Sequence, residues 1–194
     1  MQNVNLRLLA VVFFLLPLPF LSGCALLAAT GVAAGTGVAV SEDRRTAGTM
    51  VQDETIEFKS NRRIKEKFGR KVHVEVTSFN QRVLLTGEAS SARVNEIEDI
   101  VRAVEGVRDV TNKITVGEVR PLTVRSQDAL ITPKVKARFV NEGIFQANHV
   151  KVVTEDGVVY LLGMVDREEA ENAMKIAKST SGVREVVQVF EYLD

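Results

Sequence analysis

Tryptophan is absent from this chain of 194 residues, tyrosine and histidine occur twice each, and cysteine occurs once. A lone cysteine excludes an intrachain disulfide and a thiolate metal cluster, because each needs a second sulfur. The two histidines, His73 and His149, form no H-x-H or H-x-x-x-H spacing, so the common imidazole metal signatures are missing. Nor is there a G-x-S-x-G, the turn that presents a nucleophilic serine in hydrolases. Excess charge of one sign is lacking as well. The 25 basic and 25 acidic side chains balance, so net charge implies no polyelectrolyte partner. The acidic pairs Asp53-Glu54 and Glu168-Glu169 fall at expected helix starts, where the helix dipole already favours carboxylates. The sequence therefore predicts no enzyme, no metal or cofactor, and no nucleic-acid partner.

What is present begins with an apolar run. Arg7 precedes LLAVVFFLLPLPFL and then small residues, the three-part build of an export signal. Leu21-Ser22-Gly23-Cys24 closes it, and these four residues resemble the lipobox of bacterial lipoproteins. The resemblance implies that residues 1–23 are a cleaved signal peptide and that Cys24 carries a diacylglyceryl group and becomes an acylated amino terminus. Several acyl chains, at about 0.8 kcal/mol per buried methylene, hold a protein at a membrane far better than one. Ala25 follows rather than Asp, which in lipoproteins of two-membrane bacteria implies the outer membrane, facing the periplasm. The next sixteen residues, ALLAATGVAAGTGVAV, carry three glycines and fall short of the roughly 20 apolar residues of a span. Residues 24–50 are thus read as a lipidated start and a flexible leash.

The rest of the chain repeats itself. DETIEFKSNRRI, from Asp53, matches DALITPKVKARF, from Asp128, at a shift of 75: Asp53/Asp128, Ile56/Ile131, Lys59/Lys134 and Arg63/Arg138. With one residue slipped, 73–76 falls on 149–152 and 83–87 on 159–163, and Gly-Val-Arg-Asp-Val at 106–110 falls on Gly-Val-Arg-Glu-Val at 182–186. Self-similarity of this length marks a tandem duplication.

Each copy reads as helix, strand, strand, helix, strand. Ile56, Ser60 and Ile64, and in the second copy Ile131, Val135 and Phe139, recur every four residues and place one helix face in the core. HVEVTS and HVKVVT alternate as half-buried strands, and Asn80-Gln81 and Asp156-Gly157 mark tight turns into RVLLTG and VVYLLG. Second helices are expected from 91 to about 105 and from 166 to about 181, with Asp166 and Glu169 spaced as a capping box. Last strands are expected over 107–116 and 183–192. His73 and His149 occupy equivalent places, each as an outward strand residue or a structural hydrogen bond.

The order αββαβ, the phrase ITPKVKARF, the glycine ending each hairpin and the Gly-Val-x-x-Val after each second helix together resemble the BON domain. Two such domains behind a lipobox are similar to the dual BON-domain lipoproteins. The resemblance implies an α+β fold of two tandem αββαβ domains, each a small three-stranded mixed sheet packed on two helices. They are expected at 51–117 and 127–194, joined by a linker at 118–126. It also implies a non-enzymatic role in envelope integrity, with anionic phospholipid met by the first helix of the second domain: Leu130, Ile131, Lys134, Val135 and Arg138. Helical spacing sends Ile131 and Val135 to the core side, leaving Leu130 to dip into lipid and Lys134 and Arg138 to meet phosphate. A basic stretch over 58–71 reads equally as a solvated face or as attraction for anionic head groups. The rival class is an adaptor that binds a periplasmic protein partner.

Overall fold

A computed structural model describes residues 43–121 and 128–193. The signal peptide, Cys24, the leash up to residue 42 and positions 122–126 of the linker lie outside the described residues.

The first copy opens with α1 (Ala47–Phe68), whose N-cap Thr46 accepts from the Thr49 amide at 3.1 Å. The leash expected up to residue 50 therefore ends sooner, because Thr46 supplies the cap. Strands β1 (His73–Phe79) and β2 (Arg82–Ala89) pair antiparallel through Asn80 and Gln81, both at positive φ. Next come α2 (Ser91–Arg102), β3 (Asp109–Asn112) and β4 (Thr115–Val116), with both short strands parallel to β2. The single last strand expected at 107–116 is thus two strands. At the break the Asn112 side chain accepts from the Ile114 amide at 3.0 Å, taking a donor from the ladder.

The second copy keeps the plan: α3 (Asp128–Glu142), β5 (Val150–Glu155), β6 (Val158–Val165), α4 (Arg167–Lys178) and β7 (Glu185–Tyr192). Its sheet has the order β5-β6-β7, with β6 and β7 parallel, as a helical crossover requires. Asp166 and Glu169 form the expected capping box at α4. Pro133 lies inside α3, five residues past its start.

Alternation decides where each strand residue goes. Val83, Leu85 and Ala89 point to one face of their sheet and join Ile56, Ile64, Ile97 and Val101 from the helices in the first core. Val159, Leu161 and Val165 do the same against Val135, Phe139, Ala173 and Ile176 in the second. Much of each opposite sheet face is also turned away from water. Phe79 and Leu84 of one sheet meet Tyr160 and Leu162 of the other in a third apolar cluster, each of the four at most 7 % exposed. The two sheets therefore pack against each other, with the helices outside. Gly87 and Gly163 hold equivalent places in β2 and β6, where a Cβ would collide with the carbonyl oxygens of His73 and His149.

Candidate functional site

The outward face of α3 is the candidate membrane surface. Ile131, Val135 and Phe139 turn into the core, at 6 %, 0 % and 0 % exposed. The reading of Ile131 and Val135 as lipid ligands is corrected accordingly, since either could reach a bilayer only by leaving that core. On the opposite side Leu130 is 64 % exposed and Val140 68 %, and Ile144, just past the helix, is 55 % exposed. Pro133, Lys134, Lys136 and Ala137 are exposed on the same helix. Positions 130, 133, 137 and 140 follow the three- and four-residue steps of one helical stripe, here Leu-Pro-Ala-Val.

Arg138 is placed differently from expectation. Its guanidinium donates to the Ile176 carbonyl at 3.0 Å, to Ser179 Oγ at 2.8 Å, to Thr180 Oγ1 at 3.1 Å and to the Glu142 carboxylate at 2.6 Å. It clamps α3 to the end of α4, where free carbonyls gather and a cation is favoured. Its donors are committed within the domain, so Lys134 and Lys136 are the exposed cations on this helix. A Thr132 to Thr154 hydroxyl contact at 2.7 Å ties the same helix to β5.

The same positions in the first copy carry a different face. At the 75-residue shift Leu130, Ala137, Val140 and Ile144 correspond to Thr55, Arg62, Lys65 and Gly69. Phe58, 67 % exposed, stands where the second copy has Pro133. Within the basic stretch, Arg62 pairs with Glu66 at 2.8 Å and Lys67 with Glu96 at 2.5 Å, both pairs at the surface. Duplication thus produced one uniformly apolar version of this helix face and one in which Thr55, Arg62 and Lys65 accompany Phe58.

Two histidines and several carboxylates cluster elsewhere. His149 is buried, and its Nδ1 lies 2.9 Å from the Glu169 carboxylate, which also receives Arg44. Burial alone would raise the Glu169 pKa; hydrogen bonds from Arg44, His149 and the Asp166 amide bring it below the ordinary range. His149 is therefore a structural hydrogen bonder. Between the sheets, Arg120 reaches Glu88, Asp156 and, at 3.1 Å, Glu155. Burial, followed by the nearby Glu88 carboxylate, pushes Glu155 up to about 7. His73, Glu88 and Glu155 each offer a ligand atom within 4.8 Å of the others, although they lie far apart in sequence. Spacing rules could not find this group, because the ligands come from two repeats.

A model of the family described as BON domain matches residues 52–118 and again 127–194. Among known proteins, the chain is 38 % identical to the outer membrane lipoprotein DolP of Haemophilus influenzae, over 90 % of this chain and 91 % of that one. It is 31 % identical to the 21 kDa hemolysin of Actinobacillus pleuropneumoniae, over 78 % and 79 %. It is 30 % identical to the osmotically-inducible protein Y of Escherichia coli, over 77 % of each chain.

Proposed function

The chain belongs to the BON-domain family, as two domains in tandem, and on that premise we propose that it is a non-enzymatic lipoprotein that binds anionic phospholipid. Its place is the outer membrane, lipid-anchored and facing the periplasm, like the relative named an outer membrane lipoprotein. Cys24 holds the acyl chains, and the outer face of α3 engages head groups, supporting the barrier of the envelope. The observation that carries this reading is the divergence of the two copies: Leu130, Ala137, Val140 and Ile144 replace Thr55, Arg62, Lys65 and Gly69. Exposed apolar residues on a helix that already buries its other face contribute nothing to the core. Flanked by Lys134 and Lys136, they suit an interfacial helix, whose apolar side enters the head-group boundary while cations meet phosphate. Each such cation contributes about 1 kcal/mol near an anionic surface.

Flotation of an unlipidated chain with phosphatidylglycerol vesicles tests it. The wild type is expected to float with these vesicles and not with phosphatidylcholine. Leu130→Glu and Val140→Glu should each abolish flotation with little loss of stability, while Lys65→Gln with Lys67→Gln should weaken it only at low salt, since exposed charges are screened within about 8 Å at physiological ionic strength. Flotation lost in the lysine variant and kept in both glutamate variants would move the lipid-facing surface to the first domain. A wild type that never floats leaves the protein-adaptor reading.

A further inference from the structure

We propose that His73, Glu88 and Glu155 form a binding site for one divalent transition-metal ion of the zinc class, at the seam between the two sheets. Their ligand atoms all lie within 4.8 Å of one another, a spread that small side-chain movements reduce to the separation of ligands around one ion. An imidazole with two carboxylates is a donor set zinc accepts, whereas magnesium and calcium prefer oxygen alone. His73 and Glu88 are direct partners across β1 and β2, so two of the three ligands sit on one rigid ladder. Glu155 comes from the end of β5.

A second observation points to a ligand. Glu88 is 2 % exposed, and its Oε2 has no hydrogen-bond partner, while its other oxygen receives Arg120. A buried carboxylate oxygen without a donor costs free energy unless something cationic meets it. Charge leads the same way: Arg120 faces three carboxylates, Glu88, Glu155 and Asp156, and Asp156 is also met by Arg184 at 2.6 Å.

The duplication supplies a built-in comparison. At the repeat shifts Glu88, Glu155 and Arg120 correspond to Met164, Phe79 and Arg45. There the Arg45 guanidinium lies over the Phe79 ring at 4.0 Å. One set of equivalent positions thus stacks its arginine on an aromatic ring, and the other has replaced ring and thioether with two carboxylates. The ion would join the two domains directly, with Arg120 competing for the same oxygens.

Equilibrium dialysis of the mature lipidated chain in detergent against zinc alone, and against magnesium alone, tests the site. One zinc per chain is expected, with magnesium not retained. His73→Ala and Glu88→Gln should each lower zinc affinity by about tenfold or more. Arg120→Ala should raise it, a gain that carboxylates serving only as salt-bridge partners would not give. Circular dichroism checks each fold. Should Glu88→Gln not fold, the half-buried His73→Ala carries the same test. Zinc retained undiminished by His73→Ala, or no zinc retained by either the wild type or Arg120→Ala, would overturn the proposal.

Discussion

Asp53 shows what a single residue contributes to each repeat. Placed in mid-helix and only 3 % exposed, its carboxylate accepts from Ser78 Oγ at 2.6 Å, from the Asn80 and Gln81 amides at 2.9 and 2.7 Å, and from Arg45 at 2.9 Å. It holds the hairpin turn whose two residues sit at positive φ, a conformation that costs about 1 kcal/mol or more for a non-glycine residue. Asp128 does the same in the second copy, accepting from the Asp156 and Gly157 amides, each at 2.7 Å. Asp53→Ala strands several buried donors and one guanidinium, so it should lower stability by about 3 kcal/mol in urea denaturation. Asp128→Ala should lose less, since its turn contains glycine and, among the described residues, no guanidinium meets it. The recurrence of this aspartate was plain in the sequence, yet its role was not. A helix-start reading treats it as dipole charge, and the contact runs between residues 25 to 28 positions apart.

At the scale of elements, the helix faces were legible and the sheet faces were only half so. Four-residue spacing assigned Ile131, Val135 and Phe139 to the core, and all three are there. The strands VLL and YLL, apolar at consecutive positions, carried a signal of burial on both faces that alternation alone hides. The lipid face needs both copies for its recognition, because an exposed leucine by itself is ordinary. Pro133 is the element-level anomaly. Inside α3 it removes the hydrogen bond to the Ala129 carbonyl and crowds that oxygen. An interior proline costs about 3 kcal/mol relative to alanine, and its stiffening of the unfolded chain returns at most about 1 kcal/mol. Pro133→Ala is therefore expected to stabilise the chain by about 2 kcal/mol in urea denaturation. Flotation with anionic vesicles should be unchanged by it, since a small apolar group stays on the same stripe.

The whole molecule is where sequence reasoning fell furthest short, because two similar repeats invite the picture of two independent domains. Each does have its own core, yet Phe79, Leu84, Tyr160 and Leu162 belong to neither. Polar ties border this cluster: Lys151 donates to Glu57 at 2.8 Å, Asn80 to Glu191 at 2.8 Å and Arg44 to the Met164 carbonyl at 2.8 Å. Exposing the apolar sheet faces to water would remove the burial that stabilises them, at roughly 25 cal/mol per Å². The domains are thus expected to unfold together, and a chain cut between residues 118 and 126 should yield fragments that stay associated. Leu162→Ala tests the coupling from the second domain. The side chain is 1 % exposed and faces the other sheet, so its truncation should cost about 3 kcal/mol. If the sheets act as one unit, amide hydrogen exchange should speed up at residues 83–86 of the first domain as much as at 159–163 of the second. Unchanged protection in the first domain, with loss confined to the second, would mean that the seam holds two autonomous domains side by side and that only its polar ties set their arrangement.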